Sequence, residues 1–506
     1  MGYARVFSRA AVGMAAPLVT VEVHLSGGLP QFQIVGLPET AVRESRERVR
    51  GALVNSRFEF PASRITVNLR PADLPKHGGR FDLAIAVGIL AASGQVRDTG
   101  LAMFECLGEL TLAGQLAPVS GVLPACLQIR EQRRALLVPP ANAAEAALVD
   151  GLSVYCAESL GDVAAIVNGE PDALTPPPPL PASQPDSTAL DLADVRGQDS
   201  AKRALVIAAA GAHNLILIGP PGAGKSMLAS RLPVLLPPMT SDEALECAAV
   251  ASLRAAPFDV GVLHKRPFRS PHHSASAVAL IGGGTRPQPG EVSRAHHGVL
   301  FLDELPEFSR HVLEMLREPL ETGEVHVARA AFTATYPAQF QLVAAMNPCP
   351  CGFAGDPQQQ CRCSSDQLLR YRRRLSGPLL DRLDLSVTVE RLSFAALMDT
   401  PASISTAALA ETVAIARTRA VERQGYANAR IPAQDLPAAI ACRHDALSLL
   451  SESAQHWHLS ARSCHRILRV ARTIADLADS DVIEGAHMAE SLALRQGLAE
   501  PGRASI

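Results

Sequence analysis

The segment Gly219-Pro-Pro-Gly-Ala-Gly-Lys225-Ser226 limits the possible folds of this chain more than any other feature. It follows Asn214–Ile218, a short apolar run typical of a buried strand. Its glycines allow a loop whose backbone N–H groups wrap a phosphate, with Lys225 beside the terminal phosphates and Ser226 on Mg²⁺. We therefore expect a nucleotide site formed by Gly219, Pro220, Pro221, Gly222, Ala223, Gly224, Lys225 and Ser226.

Two further apolar segments end in polar residues, as strands that line the same site would. Val299–Leu302 is followed by Asp303 and Glu304, and Gln341–Met346 is followed by Asn347. The carboxyl ends of parallel strands are where α/β proteins bind ligands. We expect Asp303 to hold Mg²⁺ through water, Glu304 to orient and deprotonate the attacking water, and Asn347 to position that water.

A proline-rich segment divides the chain. Seven of the fifteen residues from Pro171 to Pro185 are proline, a composition that favours extended geometry and a semi-rigid linker. We predict an N-terminal domain at 1–168, a linker at 169–189, a nucleotide-binding core at 190–400 and a helical domain at 401–506. The N-terminal domain has strand-like segments at Leu18–Leu25 and Ile65–Leu69, and an almost wholly apolar segment at Asp82–Ala92 that we expect to be buried.

Composition indicates the class of protein. The 506 residues are 47% hydrophobic and 19% charged, as in a packed globular chain. No apolar run reaches the ~20 residues of a membrane span, and no signal peptide is evident, so we expect a cytoplasmic protein without a membrane partner. Ten cysteines suit reduced thiols better than disulfides. The net charge of −3 gives no global attraction to nucleic acid, although local basic patches can still bind phosphate.

Several further segments resemble those of the magnesium-chelatase-like AAA+ ATPases of the YifB/ComM type, and the resemblance covers nearly the whole chain. The matching stretches are Arg266-Pro-Phe-Arg-Ser-Pro-His-His, Gly282-Gly-Gly, Pro289-Gly-Glu, Gly298–Phe308, Asn347-Pro-Cys-Pro-Cys-Gly, Leu375–Asp384 and Leu459–Arg472. The resemblance implies an α/β fold with an N-terminal Lon-protease-like α/β domain, a central P-loop AAA+ parallel-sheet domain and a C-terminal helical lid. It also implies ATP and Mg²⁺ as cofactors.

The resemblance assigns roles that spacing alone does not give. It places Asn347 as sensor 1, Arg382 as the arginine finger and Arg462 as sensor 2 on the lid. An arginine finger reaches the nucleotide of the neighbouring subunit, because a guanidinium is permanently charged and can bridge two phosphate oxygens. The active site is then expected to lie between subunits of a homo-oligomeric ring, with a hexamer as the expected assembly.

Four cysteines are clustered in an insert at residues 349–363: Cys349, Cys351, Cys361 and Cys363. Four thiolates brought together by such a turn-rich loop could make a tetrahedral zinc site. Cys-x-Cys pairs are less familiar than Cys-x-x-Cys pairs, so four reduced thiols in a surface loop are the alternative. We favour a structural zinc ion over a catalytic one, because four protein ligands leave no open position on the metal.

Two basic segments could contact a nucleic acid. Glu324–Ala331 resembles the pore hairpin of the minichromosome-maintenance helicases, with Arg329 in the place of the residue that touches DNA. The second segment contains Arg370, Arg372, Arg373 and Arg374. For both segments the alternative is a solvated or interface surface. Few aromatic residues are available for base stacking, which favours contacts with the DNA backbone over sequence readout.

The leading interpretation is an ATP-driven DNA motor, similar to the branch-migration helicases that help integrate incoming DNA during natural transformation. The alternatives are a metal-insertion ATPase like the magnesium chelatases, or a protein-remodelling machine. Pro75–Asp82 lies where a Lon-type protease carries its nucleophilic serine, and this segment has no serine. We therefore expect no peptidase activity. DNA-stimulated ATP hydrolysis distinguishes the first interpretation from the other two.

Overall fold

The chain forms two larger sheets followed by a helical C-terminal part. The computed structural model describes residues 2–37, 40–170, 176, 190–254, 258–284, 287–329, 332–356, 358–392 and 404–499. Within them, one sheet has seven strands and the other has five. This α/β layout, with a parallel-sheet core and C-terminal helices, confirms the predicted fold class.

The N-terminal sheet is mixed, in the order β3-β4-β2-β1-β5-β8-β9. The strands of this part are β1 (Gly2–Arg9), β2 (Leu18–Ser26), β3 (Gln31–Val35), β4 (Arg64–Arg70), β5 (Phe104–Cys106), β6 (Glu109–Leu110), β7 (Leu116–Ala117), β8 (Ala135–Val138) and β9 (Val154–Cys156). Within the sheet, β2 pairs antiparallel with β1 and β4, and the other pairs are parallel. The separate β6–β7 pair is antiparallel.

Helix α2 forms the centre of the N-terminal core. The helices of this part are α1 (Thr40–Asn55), α2 (Asp82–Ala92), α3 (Val122–Glu131), α4 (Pro140–Ala146) and α5 (Leu160–Asn168), with a 3-10 turn at Leu101–Met103. Helix α2 is buried from Asp82 to Leu90, in one cluster with the inward valines of β2. The predicted strands Leu18–Leu25 and Ile65–Leu69 are thus confirmed, and the predicted buried segment 82–92 is buried as far as Leu90, with Ala91 and Ala92 partly exposed.

The central sheet is parallel throughout, in the order β11-β14-β17-β10-β18. The strands of this part are β10 (Leu215–Ile218), β11 (Phe268–Arg269), β12 (Gly282–Gly283), β13 (Gln288–Pro289), β14 (Val299–Leu302), β15 (Glu324–Arg329), β16 (Phe332–Pro337), β17 (Gln341–Met346) and β18 (Leu385–Thr388). Strands β14 and β17 are buried along their whole length, as expected of a sheet covered on both faces. Strands β15 and β16 form a separate antiparallel hairpin, as do β12 and β13.

Helices surround this sheet and make up the C-terminal part. The central helices are α6 (Asp199–Gly211), α7 (Lys225–Ala229), α8 (Leu232–Leu235), α9 (Ser241–Ser252), α10 (Ala277–Ile281), α11 (Glu291–Arg294), α12 (Arg310–Met315), α13 (Pro319–Thr322), α14 (Ser365–Arg372) and α15 (Gly377–Leu380). The C-terminal helices are α16 (Thr406–Gln424), α17 (Leu436–Ala439), α18 (His444–His456), α19 (Ala461–Leu477), α20 (Gly485–Ala493) and α21 (Gln496–Ala499). Short 3-10 turns lie at Leu192–Asp194, Val260–Val262, Leu305–Glu307 and Asn428–Arg430. Apolar residues of α16 and α19 pack in one cluster with α6, which attaches the helical part to the core.

The N-terminal part contacts the core at α9. The Gly121 N–H donates to the Ser252 carbonyl oxygen at 2.8 Å, and the Leu123 N–H donates to the Ser252 hydroxyl at 3.3 Å. Ala248 and Ala249 join a buried cluster with residues of α3. Most of the predicted linker at 169–189 lies outside the described residues, and the domain boundaries stay a prediction. None of the helices that the structure describes is long and apolar enough to cross a membrane.

We predict that stability falls as the pH drops below about 6.5, in part because of His213 at the junction of α6, β10 and α19. Burial lowers the pKa of His213 to about 4, and its Nε2 lies 2.7 Å from Thr473 Oγ1. The unfolded chain therefore binds more protons than the folded one between these values, so stability is lost as the pH falls. The expected loss from this group is about 1.4 kcal/mol per pH unit between roughly 6 and 4.

Urea unfolding measured from pH 7.5 to 5 tests this. His213→Gln should show a shallower pH dependence than the parent protein, whereas the exposed His456→Gln should not. Equal slopes for all three proteins would contradict the assignment.

Candidate active site

The loop between β10 and α7 requires glycine at defined positions. A Cβ at Gly219 would lie 2.2 Å from the Val389 carbonyl oxygen, so no side chain fits there. Gly222 and Gly224 have φ angles of 77° and 90°, a left-handed conformation that glycine adopts without strain. The backbone thus has the sharp turn that the sequence of this loop predicts.

A cavity of about 370 Å³ lies along this loop. Five residues that the sequence indicated line it together: Lys225, Ser226, Asp303, Glu304 and Asn347. They meet because β10, β14 and β17 are parallel neighbours, which places the carboxyl ends of all three strands at one edge of the sheet. The geometry of the site therefore follows from the topology of the sheet.

Lys225 supplies the positive charge of this cavity. Its Nζ donates to the carbonyl oxygens of Gly219 at 2.7 Å and Pro220 at 2.9 Å, and to Asn347 Oδ1 at 3.1 Å. Burial lowers the pKa of Lys225, and the nearby carboxylates of Asp303 and Glu304 oppose this shift. These contacts hold the ammonium group over the loop, where it can interact with a phosphate.

Ser226 and Asp303 offer oxygen ligands for Mg²⁺. The Ser226 hydroxyl donates to Asp303 Oδ2 at 2.6 Å, and Asp303 Oδ1 accepts from the Glu304 N–H at 2.9 Å. A hydroxyl oxygen and a carboxylate oxygen are hard donors of the kind that Mg²⁺ prefers. These two oxygens lie 2.6 Å apart, beside the phosphate-binding loop. The residues present therefore fit the expected metal ion.

Glu304 has a contact partner that the sequence analysis missed. Its φ of 52° is unusual for a residue other than glycine, and its Oε2 lies 3.3 Å from His273 Nδ1. The His273 ring also lies edge-on to Phe308, with ring centroids 6.5 Å apart. His273 follows β11, the neighbour of β14 in the sheet, and β11 is only two residues long, so no local sequence pattern indicated this contact.

Arg382 and Arg462 lie together, in a second cavity of about 580 Å³ that Arg430, Arg466 and Arg469 also line. Arg382 Nε donates to the Arg317 carbonyl oxygen at 3.1 Å, and its Nη2 pairs with the Glu321 carboxylate. Among the described residues, no arginine lines the cavity along the P-loop. The structure thus places both arginines away from the P-loop of their own chain.

The two basic segments lie at different places. Arg329 is the last residue of β15, next to the turn of the hairpin, and its side chain lies outside the described residues. Arg370 and Arg373 are exposed and Arg372 is partly exposed, all at or next to α14. The neighbouring Arg374 instead pairs with Glu307 at 2.7 Å, which connects this segment to the residues that follow Glu304.

The four cysteines of the insert converge. All four sulfur atoms lie within 4.8 Å of one another, and Cys349 is buried.

In the N-terminal part, Arg80 of the segment Pro75–Asp82 is buried and donates to the Ser120 carbonyl oxygen at 3.3 Å. Burial lowers the pKa of Arg80 to about 10.

Lys225→Ala should weaken ATP binding by about tenfold or more, because a hydrogen bond to a charged group contributes about 1.5–3 kcal/mol. Titration with a fluorescent ATP analogue measures the affinity, and circular dichroism checks the fold. Lys265→Ala, at an exposed lysine in the same part of the chain, is the matched control. Unchanged affinity in Lys225→Ala would contradict the site.

Comparisons with known proteins show the family. The profile described as Magnesium chelatase, subunit ChlI matches residues 191–397, and the profiles of subunit ChlI of Mg-chelatase and its C-terminal part match 21–142 and 403–495. The chain is 50% identical to Competence protein ComM of Haemophilus influenzae over 499 residues, 98% of each chain. It is 48% identical to YifB of Salmonella typhimurium over 498 residues, covering 98% of this chain and 97% of that protein. A Magnesium-chelatase 38 kDa subunit of Cereibacter sphaeroides is 30% identical over 172 residues, 30% of this chain and 51% of that one. The chain therefore belongs to the magnesium-chelatase-like AAA+ family, in the group of ComM and YifB.

Proposed function

We propose that this protein is an ATP-hydrolysing ring motor that acts on DNA, by branch migration or helicase activity during recombination of incoming DNA in natural transformation. The observation that carries the proposal is the convergence of Lys225, Ser226, Asp303, Glu304 and Asn347 in one cavity. Membership of an AAA+ family supports ATP hydrolysis, and the identity to a competence protein over the full chain supports DNA processing.

Each residue of the cavity has a distinct task in this proposal. Lys225 offsets the negative charge of the terminal phosphates. Ser226 and Asp303 hold Mg²⁺, which when bound polarises the phosphoryl oxygens as a Lewis acid. Glu304 accepts the proton of the attacking water, and Asn347 orients that water. Because Glu304 also lies 3.3 Å from His273 Nδ1, the imidazole positions this carboxylate within the cavity.

Arg382 acts as the arginine finger at the nucleotide of the neighbouring subunit, and Arg462 acts as sensor 2 on the lid. The location of Arg382 in a cavity distinct from that of the P-loop supports its assignment. A site completed by two subunits requires an oligomer, and we propose a homohexameric ring. When Arg382 contacts a phosphate, its guanidinium exchanges the Glu321 carboxylate for phosphate oxygens, because both compete for the same donors.

The DNA contacts are proposed for the hairpin β15–β16 and for the exposed arginines of α14. Arg329 lies beside the hairpin turn, and Arg370, Arg372 and Arg373 are at least partly exposed. Lys and Arg contacts with phosphates supply sequence-independent affinity, as a motor that moves along DNA requires.

We further propose a structural zinc ion at the four cysteines and a cytoplasmic location, in which thiols stay reduced.

The second candidate is a chelatase-like or protein-remodelling ATPase. It is favoured by the matches to the magnesium chelatase subunit ChlI, which cover most of the described core and lid. Such a motor would hydrolyse ATP in response to a partner protein and not in response to DNA.

DNA should stimulate ATP hydrolysis several-fold, because a polymer substrate commonly accelerates its own motor. Steady-state ATPase rates are measured without DNA and with single-stranded, duplex and four-way-junction DNA. Arg329→Ala should lose the stimulation and keep the basal rate, whereas Arg310→Ala, at an exposed arginine of α12, should behave as the parent protein. An assembled, active enzyme that no DNA stimulates would favour the second candidate.

Subunits with complementary defects should restore activity when mixed. Lys225→Ala lacks its own nucleotide site but supplies Arg382, and Arg382→Ala binds nucleotide but lacks the arginine for its neighbour. If the sites act independently, rings that assemble at random from equal amounts of the two variants should hydrolyse ATP at about a quarter of the parent rate.

A mixture of Lys225→Ala and Glu304→Gln is the matched control. Both changes disable the cavity of the subunit that carries them, so this mixture should recover nothing. Equal rates in the two mixtures would contradict the shared site.

A further inference from the structure

The cysteine insert contacts the P-loop directly. Gly352, between the two cysteine pairs, has a φ of 87°, and a Cβ built there would lie 2.6 Å from Pro221 Cδ. Its N–H donates to the Cys349 carbonyl oxygen at 3.0 Å, which closes a turn against the P-loop. Cys349 also follows Asn347 by two residues, and Asn347 Oδ1 accepts the Lys225 hydrogen bond. The insert therefore begins two residues after Asn347, which lines the candidate nucleotide site.

Arg391 makes a second connection between the insert and the P-loop. Its Nη2 donates to the Pro221 carbonyl oxygen at 3.2 Å. The same guanidinium lies 5.7 Å from the centroid of the Phe353 ring and 4.0 Å from the Asp356 carboxylate, which is 1% exposed. Asp356 Oδ1 in turn accepts from the N–H groups of Gln358 and Gln359. Pro221 is thus contacted by Gly352, between the cysteine pairs, and by Arg391, which also contacts Phe353 and Asp356.

The sulfur atoms have the spacing of ligands to one metal ion. Cys349 Sγ lies 3.3 Å from Cys351 Sγ and 3.7 Å from Cys361 Sγ, and the latter two are 3.6 Å apart. Four thiolates at about 2.3 Å from a tetrahedral zinc ion lie about 3.8 Å from one another. The Ala354 N–H donates to Cys349 Sγ at 3.3 Å, which orients this sulfur within the cluster. With Cys363 in the same cluster, the donor set is that of a closed structural site.

We propose that a zinc ion at these four cysteines braces the P-loop, so that zinc occupancy sets the affinity of the site for nucleotide. The ion joins the two ends of the insert and thereby fixes the segment that carries Gly352, Phe353 and Asp356. Gly352 contacts Pro221, and Arg391 donates to the Pro221 carbonyl oxygen, so the fixed segment also restricts the position of Pro221. Without the ion, the insert gains conformational freedom, and ordering it again opposes nucleotide binding. This inference rests on the proposed nucleotide site.

The test combines metal analysis with nucleotide titration on the reduced full-length protein. The parent should contain about one zinc per chain, and Cys361→Ser below about 0.3 equivalents. Cys361→Ser should also bind a fluorescent ATP analogue about tenfold more weakly, with an unchanged circular dichroism spectrum. Cys442→Ser, at a cysteine outside the cluster, should match the parent in zinc content and affinity.

Arg391→Gln tests the contact with the P-loop independently of the metal site, since it changes the connection to Pro221 and leaves all four cysteine ligands. It should keep the zinc and still lose nucleotide affinity, which also tests the proposal if Cys361→Ser fails to fold. A parent protein that takes up no zinc would overturn the metal site. Zinc loss or Arg391→Gln without any change in affinity would overturn the coupling. Zinc-loaded parent protein that binds no nucleotide would instead contradict the proposed function.

Discussion

The parallel pairing of β10, β14 and β17 is the constraint on which the active site depends. Residues from three distant parts of the sequence can share one cavity only because these strands run in the same direction and end at one edge. The strands are short and buried, so their register is set by apolar side chains on both faces. A slip of one residue in this register would move Asp303 or Asn347 to the opposite face.

The parts of this arrangement that follow from local sequence could be predicted. Apolar runs indicated the three strands, and the residue types that follow them indicated a site for phosphate and Mg²⁺. Gly219 lies close to the backbone of Val389, and Gly224 has a left-handed backbone, as the loop sequence requires. The predicted fold class, which the resemblance to the AAA+ family implied, is confirmed as well.

The contacts between distant side chains could not be predicted in this way. His273 and Glu304 meet because β11 lies next to β14, and β11 is only two residues long. Arg382 pairs with Glu321, which is distant in the sequence, and no periodicity indicates this pair. The contact of Gly352 with Pro221 likewise depends on the return of the insert to the P-loop. The last of these contacts connects the nucleotide cavity to the cysteine insert.

If the energy of ATP hydrolysis moves DNA strands, a branch-migration assay will detect that movement. A labelled four-way junction with homologous arms is incubated with the protein and ATP, and the products are separated by native electrophoresis. We expect conversion of the junction into two duplexes, which requires ATP and is absent with Glu304→Gln. An assembled protein that hydrolyses ATP and binds the junction but leaves it intact would not be a branch-migration motor.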